Sequence, residues 1–189
     1  MTRPPARSSL PARRARLSLP ARLGRRAAAT AVDYALVSVP LALLGLLQVR
    51  RGRAGRPIGG ARARVAVALA LTVPVTCGLA AAEATGGSPG KRLLGLQVRG
   101  RDGRSSPPYA AALLRTALKT AIPWELAHQG VWDVQDEAGR KRGETLLACA
   151  YAALAAQAVM ICTPSGRTYP DLLVGTVVAR RDRRGADQD

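Results

Sequence analysis

The sequence contains no phenylalanine and very little of what builds a catalytic or metal centre. Its 189 residues include one histidine and three cysteines, Cys77, Cys149 and Cys162, which lie in apolar stretches and form no CxxC pair. A zinc site needs several such ligands close together, and a Ser/His/Asp triad needs its histidine beside a nucleophile and a carboxylate. We therefore expect no resident metal, no cofactor and no enzymatic activity.

Aromatic residues are also scarce, at 3% of the chain, although the formal net charge is +17. Nucleic-acid-binding proteins combine a basic surface with a reading helix or with aromatic side chains on which bases stack. Here no aromatic residue interleaves with the arginine clusters. We therefore expect no binding of nucleic acid, and the basic loops are better explained as topology signals and as contacts with anionic lipid headgroups.

The sequence does contain long apolar runs. Residues 27–49 include one charged side chain, Asp33, whereas residues 65–82 and 145–163 include none. About 20 helical residues cross a hydrocarbon core of ~30 Å, so each run has roughly the length of a membrane span. A soluble helix would show a regular polar face, and residues 65–82 show none. The predicted fold class is an all-α protein inserted in the lipid bilayer.

Residues 109–128 form a further helical pattern, which carries Arg115, Lys119 and Glu125. Such a helix either lies on the membrane surface as an amphipathic element or crosses the membrane as a polar span buried among other helices. The sequence therefore predicts three to four transmembrane helices and leaves these two alternatives open.

Two short segments have the pattern of β-strands. Residues 94–99 alternate between apolar side chains and small or polar ones ahead of an Asp-Gly turn, and residues 174–179 are rich in valine. If the two strands pair at the cytoplasmic surface, an even number of spans must separate them, which favours four. Placing most basic residues on the inner side then puts the N-terminus in the cytoplasm of a multi-pass cell-membrane protein.

The two ends of the chain differ in composition from its apolar centre. Residues 1–26 are rich in arginine and proline, which predicts a disordered tail, and residues 180–189 predict a charged C-terminal tail. A secretory signal peptide is the competing interpretation of the N-terminal region, but the apolar run at 27–49 is longer than the core of such a peptide. The transmembrane domain is therefore predicted to cover residues 27–179.

Three stretches of the chain carry a recognisable motif. Their residues are, in chain order, Arg26 and Asp33; then Gly90, Lys91, Arg92 and Gly95; then Asp171, Gly175 and Thr176. In this order and spacing they resemble the RDD family of bacterial membrane proteins, named for an arginine and two aspartates. One departure is Leu172, since family members usually carry a basic residue after the closing aspartate. The resemblance implies a membrane protein, and transport, including sodium/proton exchange, has been proposed for some members.

Five charged residues are candidates for a functional role: Arg26, Asp33, Arg115, Glu125 and Asp171. Arg26 and Asp33 lie seven residues apart on nearly the same side of one helix. They form either a pair that sets the depth of the helix or a site in which Asp33 handles protons or cations. Arg115 and Glu125 share another helix and are expected to meet Asp33 or Asp171 in a buried network, which serves either as an ion pathway or as a link between helices.

Two functions are compatible with these patterns. The first is movement of ions or small solutes, with Asp33 and Asp171 as the working carboxylates. The second is a non-transporting accessory or scaffold subunit that binds partner membrane proteins through small-residue helix faces, such as residues 80–82 and 152–156. Four short spans leave little room for a pathway within one chain, so we expect a homo-oligomer or a complex with a partner membrane protein under either hypothesis.

Overall fold

A computed structural model describes residues 19–53, 60–103 and 105–181. The helices are α1 (Leu19–Arg53), α2 (Ala61–Val67), α3 (Val73–Ala84), α4 (Pro89–Leu93), α5 (Tyr109–Thr116), α6 (Ile122–Asp133), α7 (Arg140–Cys162) and α8 (Tyr169–Val174). The strands are β1 (Leu96–Arg99) and β2 (Val177–Arg180). A π-helical turn at Ala68–Thr72 joins α2 to α3, and a second at Ala117–Ala121 joins α5 to α6. Four long helical segments result: α1, α2–α3, α5–α6 and α7.

These four segments alternate in direction. At one end of the bundle, Arg22 near the start of α1 binds the carbonyl of Thr163 just after α7. At the same end, Arg115 in the first turns of the α5–α6 segment contacts Glu83 near the end of the α2–α3 segment. At the other end, Arg64 of α2 contacts Asp133 at the end of α6. The segments therefore run up, down, up and down. The first end also carries both strands and is called the strand end below.

Both predicted strands are present, and they pair with each other in an antiparallel arrangement within the described part of the chain. Leu96 lies opposite Arg180, and Arg99 lies opposite Val177. Each strand follows a short helix and a glycine in the left-handed region, Gly95 with φ +66° and Gly175 with φ +71°. Glycine adopts this conformation at little cost, and it turns the chain sharply from helix to strand.

The order of elements occurs twice along the chain. The first half contains α1, α2–α3, α4 and β1, and the second contains α5–α6, α7, α8 and β2. Each half is thus two long helices, one short helix, a left-handed glycine and a strand. Antiparallel pairing of β1 with β2 is the arrangement that a two-fold relation between such halves produces.

The predicted boundary of the N-terminal tail is wrong for residues 19–26, because α1 begins at Leu19. Arginine side chains near the start of α1 donate hydrogen bonds to backbone carbonyls that follow α7. Arg22 Nη1 donates to the Pro164 carbonyl oxygen at 3.0 Å. The predicted C-terminal tail is wrong at Arg180, which belongs to β2. The rest of both predicted tails, residues 1–18 and 182–189, lies outside the described residues.

Both π turns stand directly before a proline, Pro74 in α3 and Pro123 in α6. Proline has no N–H to donate, and its ring clashes with the carbonyl four residues earlier. In the second turn the freed carbonyls belong to Leu118 and Lys119. The first accepts a hydrogen bond from the Tyr169 hydroxyl at 2.9 Å, and the second accepts one from Gln157 Nε2 at 3.2 Å. Side chains of α7 and α8 therefore satisfy the backbone that Pro123 leaves open.

Removing one of these donors tests the arrangement. We expect Tyr169→Phe to lower the free energy of unfolding by about 1 kcal/mol, because it leaves the half-buried Leu118 carbonyl without its donor. The matched control is Tyr151→Phe on α7, where the side chain is 67% exposed. Thermal unfolding in detergent measures both. Equal melting temperatures for the two variants would contradict this assignment.

The distribution of side chains is the reverse of that in a soluble protein. Among the described residues, the buried apolar set consists largely of small side chains, whereas the buried polar set includes Arg115, Glu83, Lys91 and Asp171. Large apolar side chains such as Leu69 and Val159 are exposed instead. Such a molecule has an outer surface suited to lipid.

Two described helical segments are long and apolar enough to cross a membrane, Ala61–Leu93 and Arg140–Cys162. The core helix of a soluble protein passes the same test, but it would be mostly buried. Here only 11% of each apolar window is buried inside the molecule. The apolar surfaces of these helices therefore face outward, as those of membrane spans do.

Candidate functional site

A buried ionic network occupies the strand end of the bundle, with Arg115 at its centre. The Arg115 side chain is 1% exposed. Its Nη1 atom lies 2.6 Å from Glu83 Oε2, and its Nε atom lies 2.7 Å from Asp171 Oδ1. The predicted contact between Arg115 and Asp171 is therefore present. One guanidinium joins α3, α5 and α8.

Asp171 is enclosed by hydrogen-bond donors from its own segment. Its Oδ2 atom accepts from the Thr168 N–H at 3.0 Å and from the Thr168 hydroxyl at 2.9 Å, which forms the capping box of α8. The Thr176 hydroxyl donates to Oδ1 at 3.1 Å. Burial alone raises the pKa of Asp171, but the Arg115 charge and the Thr168 hydrogen bonds outweigh it and hold the pKa below its ordinary value. The ionised form of Asp171 is thus favoured, and both of its oxygens already accept hydrogen bonds.

Lys91 and Asp33 extend the network towards α1. Lys91 Nζ lies 2.7 Å from Glu83 Oε1, 3.0 Å from Ser88 Oγ and 4.0 Å from Asp33 Oδ2. Asp33 accepts hydrogen bonds from the Ser88 hydroxyl at 2.5 Å and from the Gly90 N–H at 2.8 Å. Each half of the chain therefore contributes charged groups to one network.

The predicted pair between Arg26 and Asp33 does not form. Arg26 donates instead to the carbonyls of Gly166 and Val178, the latter at 3.2 Å. Seven residues of helix span about 10 Å along its axis, so two side chains on the same face meet only if both bend towards each other. Nearer partners on neighbouring segments are bound instead.

Glu125 lies outside the network, contrary to the prediction that it would join Arg115. It accepts a hydrogen bond from the Thr72 hydroxyl in the first π turn. The π turn at Ala117–Ala121 stands between Arg115 and Glu125. One extra residue in a helical turn rotates the rest of the helix by about 100° about its axis, so spacing on a regular helix misplaces Glu125.

Two central residues, Glu83 and Lys119, are not among the candidates that the sequence suggests. The charge-free run at 65–82 ends one residue before Glu83, so the sequence pattern places this glutamate outside the span. In the sequence, Lys119 is only one of several charged residues on the predicted helix at residues 109–128. An isolated ionisable residue in or beside an apolar run is the available signal, because such groups are retained where they pair or bind.

A cavity of about 280 Å³ lies beside the network, between α1, α3, α5–α6 and α7. Charged side chains meet it at Asp33, Glu83, Lys91 and Lys119. The rest of its wall is mostly apolar and includes Val37, Leu71, Val75, Leu79, Leu154 and Ile161. Asp171 is not among its lining residues. The cavity therefore combines an apolar wall with a cluster of charges drawn from several helices.

The remaining motif residues shape the backbone around this site. A Cβ atom at Gly90 would lie 2.1 Å from the Ala29 carbonyl oxygen, so α1 and α4 touch at backbone distance. Arg92 donates through Nε to the Gly87 carbonyl at 2.7 Å and thereby holds the chain beyond α3. Thr176 donates its backbone N–H to the Asp171 carbonyl at 2.8 Å. The motif thus builds the frame that places the charges.

The profile of the RDD family matches residues 20–175. The chain belongs to the RDD family. The match runs from the start of α1 to the glycine that ends α8, so it includes the charged network and the residues that line the cavity. No curated protein and no solved structure matches the chain. Family membership together with the outward-facing apolar helices makes this RDD protein a membrane protein.

In this RDD protein, Leu172 stands where a basic residue is usual, but a cation still lies nearby. Arg167 donates to the Asp171 carbonyl at 2.9 Å and to the Thr176 carbonyl at 3.0 Å. It therefore holds both ends of the turn between α8 and β2. Leu172 itself is 51% exposed on the outside of α8.

Proposed function

We propose that this RDD protein is a multi-pass protein of the cell membrane that carries an ion or small solute across it without enzymatic chemistry. The observation that carries the proposal is the cavity of about 280 Å³, which is bounded by several long helices and meets buried charges at its edge. Ionisable groups at membrane depth are costly, and they are retained mainly where they pair, bind or conduct.

Four spans with a cytoplasmic N-terminus fit the proposal. The α5–α6 segment packs between α3 and α7 and turns Arg115 and Lys119 inward, which supports a polar span over a helix lying on the membrane surface. With four crossings, two spans separate β1 from β2, so both strands lie on the same side of the bilayer. Most basic residues then lie on the cytoplasmic side, where they contact anionic lipid headgroups.

Asp33 is the carboxylate that we assign to the transported species. Its side chain is 15% exposed and lines the cavity, whereas the Asp171 side chain is 1% exposed and surrounded by donors. Asp171 is better suited to positioning Arg115 than to exchanging a proton or a cation. The proposal therefore keeps one of the two carboxylates that the sequence suggests and gives the other a structural role.

Flux measurements in proteoliposomes test this assignment. We expect the wild-type protein to move protons or sodium ions, and Asp33→Asn to reduce the flux to that of protein-free liposomes while the protein stays folded. The matched control is Asp136→Asn, which changes an exposed aspartate in the loop between α6 and α7 and should leave the flux unchanged.

The absence of flux in the wild type as well as in the variants would favour a second candidate function, that of an accessory subunit. The observation behind this alternative is the outward face of α7, where Ala148, Ala152 and Ala156 are exposed at four-residue spacing. Small residues at this spacing allow close contact with another helix in a membrane. The partner would be a second copy of the chain or another membrane protein.

A further inference from the structure

Lys119 differs from Arg115 and Lys91 in making no direct ion pair with any described residue, although the charges of Glu83 and Asp171 act on it from nearby. Arg115 and Lys91 both lie against Glu83. The Lys119 ammonium makes no ion pair or hydrogen bond within the described part of the chain. Its side chain lines the cavity described above, and it also lines a second, smaller cavity beside the network. An ammonium group away from water and without a counter-ion is unfavourable.

A second polar group beside Lys119 also lacks a partner. Thr116 lies one helical turn earlier, is 4% exposed and lines the same cavity. Its hydroxyl makes no hydrogen bond with any described residue. Buried hydroxyls are normally hydrogen-bonded, so two neighbouring unsatisfied donors on one face of α5–α6 indicate a missing acceptor.

The rest of the cavity limits what this acceptor is attached to. Its volume of about 280 Å³ is close to the lower end of the range for small-molecule pockets, roughly 300–1,000 Å³. Apolar side chains form most of its wall. A fully hydrated inorganic ion would leave this wall without a partner, whereas an apolar chain of that size would contact it.

We propose that the cavity binds a small amphipathic anion, with its carboxylate on the Lys119 ammonium and the Thr116 hydroxyl, and with its apolar chain along the wall. The bound carboxylate gives the Lys119 ammonium and the Thr116 hydroxyl the direct partner that the described residues do not provide. This inference rests on the proposed function and adds an anionic solute in the same cavity, beside the proton or sodium ion that we assign to Asp33. An eight-carbon carboxylate is the member of this class that we choose as a probe.

Trp124 provides a direct signal, since it lines the cavity. In a Trp132→Phe background it is the one tryptophan left, because the chain contains two. The protein is placed in nanodiscs of neutral phosphatidylcholine, so that no anionic lipid competes, and titrated with 8-bromooctanoate, whose bromine quenches a tryptophan on contact. We expect saturable quenching that excess octanoate reverses, and no saturable quenching by the uncharged 8-bromooctanamide.

Two substitutions at position 119 decide the role of the charge. We expect Lys119→Gln to weaken binding by about tenfold or more, because a hydrogen bond to a charged group is lost. Lys119→Arg should largely preserve binding and shows that the site is still folded. The control is Lys141→Gln, which changes an exposed lysine at the start of α7.

Equal quenching by the carboxylate and the amide, or unchanged affinity in Lys119→Gln, would overturn the inference. Failure here is distinct from failure of the proposed function. Flux of protons or sodium ions that depends on Asp33, with no binding of octanoate, would support transport and contradict anion binding. Binding of octanoate with no flux would support anion binding and contradict transport.

Discussion

Replacing Arg115 with glutamine is expected to lower the free energy of unfolding by about 3–5 kcal/mol, one of the two largest effects that we expect from a single substitution. The guanidinium is the shared partner of Glu83 and Asp171, and all three side chains are at least 95% buried. Removing it leaves two carboxylates close together in a low-dielectric environment with no bidentate donor between them. Loss of one partner from a buried ionic cluster is far more destabilising than loss of a surface pair.

The control uses the same change at an ion pair whose arginine is exposed and whose aspartate keeps a second partner, Arg64. Arg142 Nε lies 3.4 Å from Asp133, but its side chain is 72% exposed, and we expect Arg142→Gln to change the free energy of unfolding by less than about 1 kcal/mol. A third variant, Arg115→Lys, keeps the charge but cannot bind both carboxylates, so its loss should fall between the two. Denaturation in detergent measures all three. Similar losses for Arg115→Gln and Arg142→Gln would show that the network contributes little.

Gly90→Ala is the second substitution for which we expect a large effect. The added Cβ would lie 2.1 Å from the Ala29 carbonyl oxygen and 3.0 Å from Asp33 Oδ1. Both of these atoms belong to α1, so the helix cannot relieve the clash by moving one flexible side chain. We expect a loss of about 3 kcal/mol or more and disruption of the hydrogen bonds between Asp33 and the start of α4.

Gly78→Ala is the matched control, because it changes a helical glycine in α3 whose Cβ would meet nothing within 4 Å. Alanine is the better helix former, so this variant should gain roughly 0.5–1 kcal/mol. Opposite signs for the two substitutions would establish that α1 and α4 touch at Gly90. If both variants melt at or above the wild-type temperature, the two helices do not approach each other as closely as this.

The network also joins the two halves of the chain. Arg115 and Asp171 belong to the second half, whereas Glu83, Lys91 and Asp33 belong to the first. Arg115 and Glu83 form the ion pair that joins the two halves at the strand end, next to the cavity. Repeats of this kind move against each other in many transporters, with the binding site near their interface. Under the proposed function, the Arg115–Glu83 contact is the place where such a movement would be resisted.

The apolar pattern of the sequence predicts much of the architecture. Residues 65–82 and 145–163 fall almost wholly inside helical segments suited to a bilayer, because a long uncharged run has no other low-energy environment. The strand pair was also predictable, since alternation and a neighbouring turn or glycine are local signals. The motif residues mark the backbone frame, and the match to the RDD family agrees with them.

Partner choice within the site was not predictable in the same way. Arg26 binds carbonyls beyond α7 rather than Asp33, and Glu125 faces Thr72 rather than Arg115. Each outcome depends on which segment lies opposite, and in the second case on a π turn that shifts the helical face. Spacing along one helix contains neither piece of information.

The sequence alone determined the membrane environment, the main helices, the two strands and the family, because each depends on residues close together in the chain. Tertiary structure alone decided that Glu83 completes the network, that Asp171 is enclosed while Asp33 meets the cavity, and that Lys119 makes no direct ion pair within the described residues. These features arise where residues from several helices converge. Charge balance in such a place is a property of the assembled bundle, since each ionic group finds its partner only after the helices have packed.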